Sequence, residues 1–402
     1  MSETYSSVER QLARLLDRFP TIRRWAKWGY KRLNYLYYGT SGSSVCLHPQ
    51  ATLRTPSEWS GTDSHDEPEF FGYYDKSPWS PNGRQLLMHR RSQPHKLDLL
   101  VYDRVGKQRV VAQTEAWSYQ QGSMAQWLPD GQHVIFNDTN GCCLVSRVVS
   151  PEGDEQRLPW PVQVLHPSGT EYLSLNYRRL YRLRSAYGYE HEVENFSPRQ
   201  PLENDGLWRV DRTSETAALL FSLAELAVHC PRKEMEGADH WINHALYAPD
   251  GRQIVFMHRW RGDQGKFSRL YVANTDGSNL RLLLVGRMVS HYHWEDAKHL
   301  LTWARTAQQG YRYYRINVSS GEWSVVGQDQ LSSFGDGHPS FSPDRRWIVT
   351  DTYPDRARNR HLLLFDRTHQ TVVRVGTFFA PLQFSGPDRC DLHPRWGPDG
   401  HQ

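Results

Sequence analysis

The feature that most constrains this chain is a recurring turn signature, Pro-Asp-Gly or a close variant, flanked each time by short apolar strands. It reads Trp79-Ser-Pro-Asn-Gly83, Trp127-Leu-Pro-Asp-Gly131, His166-Pro-Ser-Gly169 and Tyr247-Ala-Pro-Asp-Gly251. It returns as Phe341-Ser-Pro-Asp344 and Trp396-Gly-Pro-Asp-Gly400, with a weaker version at Trp294-Glu-Asp-Ala297. Proline presets φ for a turn, and Asp-Gly supplies the positive φ that a tight hairpin requires. A second strand follows, of the kind Arg252-Gln-Ile-Val-Phe-Met257, and two more often succeed it, as at 268–277 and 280–285. Four strands per unit, at a period of about 47 residues, match a β-propeller blade. Seven such starts predict an all-β, seven-bladed β-propeller.

The propeller is expected over residues 45–402, and residues 1–44 form a separate basic helical segment. Between 7 and 37, apolar Val8, Leu12, Leu15, Phe19, Ile22, Trp25 and Leu33 alternate with Arg10, Arg14, Arg18, Arg23, Arg24, Lys27, Lys31 and Arg32. A helix of that pattern either packs on the domain with a solvated basic face or lies on an anionic membrane surface. Pro20 interrupts it. The third blade carries an insertion at about 177–206, rich in Tyr and Arg, of a size that forms a lid or rim loop. The chain stops just past the seventh turn. The last blade is therefore expected to be incomplete, finished by the segment 45–62 or shortened by truncation.

Net charge is only +4, which argues against a broad nucleic-acid surface. The 5 cysteines are irregularly spaced, with Cys142 and Cys143 adjacent, and give neither a disulfide framework nor a CxxC metal knuckle. No signal peptide and no apolar run of membrane-spanning length is visible. Cytoplasmic location, with or without membrane association, is the expectation.

Four histidines share one position relative to the turns. His244, His338 and His393 each stand five residues before the turn proline, and His291 stands at the same offset from Asp296. In a propeller the first strand of each blade lines the channel, and the second strand returns to the face where the first began. Residues before the first strand and at the end of the second are thus neighbours. This gathers His244 with His258 and Arg259, His291 with Trp303 and Arg305, His338 with Asp351, and Lys76 with His89, Arg90 and Arg91. Asp75, in the aromatic run from Phe70 to Tyr74, stands at a blade entrance. Imidazoles and carboxylates in such a mouth suit Mn, Zn or Fe, although no HExxH spacing is present. His240, His293 and His299 fall off the register and read as structural.

The stretches Phe256-Met-His258, 268–279, His338-Pro-Ser-Phe-Ser-Pro-Asp344 and Asp391-Leu-His393-Pro resemble the oligogalacturonate lyases, propellers related in repeat style to TolB-type propellers. The resemblance is best over 205–402. It implies a manganese-type ion and a histidine base. The base falls on His244 and one metal ligand on His291. The family's late Gln/His/His ligand cluster falls on Asp388, Asp391 and His393, so only the last imidazole is kept. The family's arginine has Arg178 and Arg209 as candidates. His338, Asp351, His258, Arg178 and Asp75 are expected to line the mouth.

That resemblance implies β-elimination at a uronate residue of an acidic glycan, with Arg259 or Arg305 binding carboxylates and His291, His393, Asp391 and Asp388 around the ion. The competing class is a non-catalytic propeller that binds an acidic polysaccharide or a partner protein in cell-envelope glycan metabolism. A serine hydrolase is disfavoured, since no GxSxG elbow occurs.

Overall fold

A computed structural model describes residues 20–38, 45–61, 67–153, 155–191, 193–284 and 288–401. Six sheets follow one another in chain order. They begin at the inner strands Glu69–Phe70, Gln126–Trp127, Val164–Leu165, Asp239–Tyr247, Met288–Trp294 and Ser340–Phe341, and every strand pairs antiparallel with the next. Each sheet is a blade covered on both faces by its neighbours. Its middle strands therefore bury nearly every position instead of alternating. Leu97 to Tyr102 and Ile254 to Trp260 are buried throughout. The outermost strand Lys107–Thr114 returns to a mixed, partly exposed pattern. Apolar side chains interlock between blades, as where Phe221 stacks on Phe256 at 5.3 Å.

The turns cap the inner strands. Backbone hydrogen bonds close them at Ser80–Gly83, Leu128–Gly131, His166–Gly169, Ala248–Gly251, Ser342–Arg345 and Gly397–Gly400. Successive turns pack together: a Cβ on Gly131 would lie 3.4 Å from Pro81, and one on Gly400 would lie 3.5 Å from Pro343. Gly83 faces Pro398 in the same way. The turn 397–400 thus sits between those of the sixth and first blades.

This corrects the expectation of seven blades. Among the described residues there are six sheets, and residues 391–400 occupy an inner position without pairing into any of them. The segment expected to finish a seventh blade goes elsewhere. Cys46–Leu47 pairs with Gly376 and Thr377 on the outer strand of blade six.

The weak turn at Trp294 has its own solution. Asp296 stands where other turns place a proline, and its neighbour Glu295 accepts hydrogen bonds from Arg315 (2.6 Å) and Arg367 (2.8 Å), the latter from the next blade. An ionic joint here replaces the Pro-Gly contact.

The inner strands are interrupted at one shared position. Pairing register shifts between Asn243 and Leu246 in blade four and between Val289 and Tyr292 in blade five. Bulges of this kind re-aim a side chain out of the ladder. Here they turn His244 and His291 toward the channel. In blade one the excursion is longer, and residues 71–76 leave the strand entirely to fill the channel. Gly72 (φ +125) makes this possible, since a Cβ there would lie 2.6 Å from the Gln121 carbonyl oxygen.

The helix Pro20–Tyr38 precedes the propeller and touches it where Tyr35 stacks on Phe379 at 5.9 Å. Proline at its first position is compatible with helix, because that N–H has no intrahelical partner. The part of the expected helix before residue 20 lies outside the described residues. No described helix is long and apolar enough to cross a membrane.

Candidate active site at the channel mouth

The channel end opposite the turns holds all four register histidines. Tyr73 and Tyr74 stand at their centre, with ring centroids 5.1–6.5 Å from every imidazole. The imidazoles form an arc. His291 lies 4.1 Å from His338, and His338 lies 4.3 Å from His393. His244 stands apart, stacked on Tyr292 at 4.1 Å. His244 (φ 55) and His393 (φ 47) adopt left-handed backbone, which non-glycine residues hold only where surrounding structure imposes it. Tyr74 fixes the blade-five bulge, its hydroxyl donating to the Tyr292 carbonyl at 2.8 Å and accepting from the Tyr292 N–H at 2.9 Å.

Buried carboxylates orient these rings. Asp351 accepts from the Nδ1 and the backbone N–H of His338 (2.7 and 2.9 Å) and from the backbone N–H of His393 (3.2 Å). Gly337 permits this approach, since any Cβ there would overlap the Asp351 carbonyl. Burial raises the Asp351 carboxyl, but the His338 imidazole and these N–H donors hold it below the ordinary carboxylate range. In turn, burial lowers His338, and Asp351 outweighs it, so the His338 value lies above that of an ordinary imidazole. Asp336 bonds His291 Nδ1 at 3.0 Å, and burial pushes its carboxyl up to about 7. Burial first, then neighbouring imidazoles, hold His291 well below the ordinary value. His393 is held down by burial, His338 and Arg395. Burial lowers His244 too, against the opposing pull of Asp75, whose Oδ2 lies 3.3 Å from His244 Nε2 and 2.7 Å from the Lys76 ammonium.

Donor atoms of His338, Asp391 and His393 lie within 4.8 Å of one another, and all three residues are buried. His338 Nε2 and both ring nitrogens of His393 have no hydrogen-bond partner. Because Asp351 holds His338 Nδ1–H, the lone pair of Nε2 faces inward. Two imidazoles with a carboxylate suit Mn2+, Zn2+ or Fe2+, so the residues present fit a divalent ion. Arg389, 3.1 Å from Asp391, balances the carboxylate.

Around this set lie several guanidiniums and tyrosines. Arg259 is buried and pushed down to about 10, by burial first and then by Arg184, in the field of Tyr73, Tyr187 and Tyr353. Arg184 covers the Tyr187 ring at 4.1 Å and Arg389 the Tyr353 ring at 5.4 Å. Tyr187, from the insertion, packs on Tyr73 at 6.0 Å and closes the mouth. Tyr177 stacks on Tyr189 at 4.6 Å and roots the insertion on its blade.

Of the residues singled out from sequence, His244, His291, His338, His393, Asp75, Asp351, Asp391 and Arg259 converge here. Asp388 does not: it is exposed in a short 3-10 turn, Gly386–Asp388, outside the donor cluster. Arg305 stands exposed one residue before the end of its strand, over the Tyr311 ring at 5.5 Å. His258 faces into blade four, hydrogen-bonded to His240 at 2.9 Å and to Arg269 at 3.2 Å, because it alternates with Arg259 along the strand. Arg178 is spent on the Tyr189 and Glu190 carbonyls, and Arg209 lies near Glu171 and Thr275. His89 bonds the Phe71 carbonyl and Ser123. Tyr73, Tyr353, Asp336 and Arg389 were missed. The aromatic run 70–74 was the signal available for Tyr73, and nothing in the repeat marks the others.

Fold and site together define a β-propeller with a buried imidazole–carboxylate centre at one channel end. Among solved structures, an oligogalacturonate lyase from Vibrio parahaemolyticus superposes with a TM-score of 0.59 at 14% identity, over 89% of this chain and 91% of that one. An oligogalacturonate lyase in complex with manganese gives 0.58 at 15% identity, over 89% and 91%. TolB from Acinetobacter baumannii gives 0.42 at 14% identity, over 73% and 64%. The two lyase likenesses bear out the propeller fold and, at that identity, the fold alone. No protein-family model and no curated protein sequence matches the chain.

Proposed function

We propose that this propeller is lyase-like and acts by β-elimination on a uronate residue of an acidic glycan. The observation that carries the reading is a buried donor set of His338, Asp391 and His393 in the neighbourhood of guanidiniums and tyrosines. Such a grouping neutralises a substrate carboxylate and the charge that builds on it when the adjacent proton leaves. His338, Asp391 and His393 would hold a divalent ion, which when bound withdraws charge from the carboxylate as a Lewis acid. Arg259, with Arg184 and Arg389, binds the carboxylate. His244, neutral through burial and oriented by Asp75, takes the proton. The electron pair forms the double bond and expels the glycosidic oxygen on the next carbon. Tyr73, kept protonated by burial and lying 5.1 Å from His244, gives that oxygen its proton.

The assay is a rise in ultraviolet absorbance from the unsaturated product on uronate oligosaccharides, with and without Mn2+. Turnover is expected with wild-type protein and its loss with His244→Ala. No absorbance rise on any uronate oligosaccharide, in any divalent metal, would overturn the reading.

One observation favours a second reading. All four imidazoles are 5% exposed or less, as in a platform that binds glycan or a partner protein without chemistry. Glycan binding that survives His244→Ala, with no turnover in either protein, would select it.

For the helix Pro20–Tyr38 we propose peripheral membrane contact. Trp25, Trp28, Leu33, Leu36 and Tyr37 are 51–72% exposed, and Arg32 lies over Trp28 at 4.1 Å. Aromatic and apolar side chains beside cations suit the interface of an anionic bilayer. Co-sedimentation with phosphatidylserine vesicles is expected, and Trp25→Ser with Trp28→Ser should abolish it. Equal sedimentation of the variant would reject the contact.

A further inference from the structure

The turn joining strands Val134–Thr139 and Leu144–Val149 carries two adjacent thiols that the channel mouth does not use. Asn140 shapes the turn, its Oδ1 accepting from the N–H groups of Cys142 (3.3 Å) and Cys143 (2.8 Å). The two side chains therefore point together, with Sγ atoms 3.7 Å apart. The carboxylate of Glu194 faces them, and the three donor atoms lie within 4.8 Å of one another. Two thiolates on a tetrahedral Zn2+, each at about 2.3 Å, stand about 3.8 Å apart. The observed separation is that edge.

Glu194 belongs to the insertion that covers the mouth, and the cysteines belong to blade two. Three hydrogen bonds already join them: Glu194 N–H to the Cys142 carbonyl (2.7 Å), Leu144 N–H to Asn195 Oδ1 (3.0 Å) and Asn195 Nδ2–H to the Leu144 carbonyl (2.7 Å). Burial raises the Cys143 thiol, and Cys142 and Glu194 raise it further. A cation relieves that crowding of negative charge.

We propose that Cys142, Cys143 and Glu194 form a site for a thiophilic divalent cation, Zn2+, that clamps the insertion onto blade two. Binding releases the two thiol protons to solvent, forms two Zn–S bonds and one Zn–O bond, and leaves the fourth position to water. No redox step is involved. The clamp is separate from the histidine centre and acts through the insertion that carries Tyr187.

The test uses reduced full-length protein with Cd2+ as the spectroscopic probe and Zn2+ for stoichiometry, competed against a chromophoric chelator. Wild-type protein is expected to show a thiolate-to-Cd2+ charge-transfer band. Cys142→Ser should abolish the band and lower Zn2+ stoichiometry by one, and Cys46→Ser should leave both unchanged. Glu194→Gln should weaken Zn2+ by about ten-fold or more. His338→Ala should retain the band, because histidine gives none. Zn2+ should slow proteolysis between residues 185 and 200 in wild-type protein and not in Cys142→Ser. A band that persists in Cys142→Ser, or no band in reduced wild-type protein, would overturn the site. Binding without any change in cleavage of the insertion would overturn the clamp. Both cysteines lie on a surface turn, so the variants fold, and Cys143→Ser repeats the test independently.

Discussion

Asp351→Ala should cost about 3–5 kcal/mol of stability, the range for removing one partner of a buried ion pair, and should disperse the histidine centre. Its carboxylate is 2% exposed and satisfies the His338 ring, the His338 N–H and the His393 N–H. Alanine leaves two buried N–H groups and one imidazole unpartnered. The metal prediction follows from orientation. Without Asp351, His338 can rotate or present Nε2 protonated, and divalent affinity should fall about 10- to 100-fold, as for other lost partners of liganding imidazoles. Asp351→Asn separates the two effects: its amide oxygen can take the place of Oδ1, which accepts from the His338 N–H and ring, while its NH2 then meets the His393 N–H at the Oδ2 position, so stability falls less than in Asp351→Ala while the lost charge still lowers Mn2+ affinity. Chemical denaturation and Mn2+ calorimetry on the three proteins measure both. An alanine variant within 1 kcal/mol of wild type, binding Mn2+ equally well, would show that the carboxylate neither supports nor orients the centre.

What the sequence disclosed follows from which physics is local. Proline and glycine in the turns act within four residues, so the propeller was legible. The histidine offset was also legible, because bulge, inner strand and turn follow one another in a fixed length of chain. The number of sheets was not. A turn motif marks an inner segment, and at 391–400 that segment exists without partner strands. Misplaced site residues have a common cause as well. Asp388 lies three residues from Asp391, yet the turn 386–388 faces it outward. His258 and Arg259 are neighbours in sequence, and strand alternation sends them to opposite faces. Tyr73, Arg184, Asp336, Tyr353 and Arg389 come from five separate loops, and only closure of the ring brings them together.

The second large effect concerns the channel floor, where Asp75 and Lys76 are both buried and 2.7 Å apart. Burial raises Asp75, but Lys76 and His244 overcome it and hold the carboxyl well below its usual range. Burial lowers the Lys76 ammonium, and Asp75 only partly restores it. Asp75→Ala should therefore cost about 3–5 kcal/mol, since it strands an ammonium in the interior. The signs fix the pH dependence. Asp75, with a depressed folded value, contributes stability in full above its unfolded value of about 3.9 and loses it only as pH falls through the lower folded one. Lys76 is a base with a depressed folded value. Its charged form is penalised in the folded protein, and stability rises with pH between the folded value and the unfolded one of about 10.4. Removing Asp75 drops the folded Lys76 value further, so the variant should gain stability as pH rises from neutrality, over a window where wild type gains less. Adding Lys76→Met to Asp75→Ala removes the stranded charge and should recover most of the loss, because an apolar replacement of a buried pair is close to neutral. Strong non-additivity in this double-mutant cycle is the expected result. Additive losses, or an Asp75→Ala variant with the same pH profile as wild type, would mean that the ammonium escapes to water through the turn-side cavity that it lines.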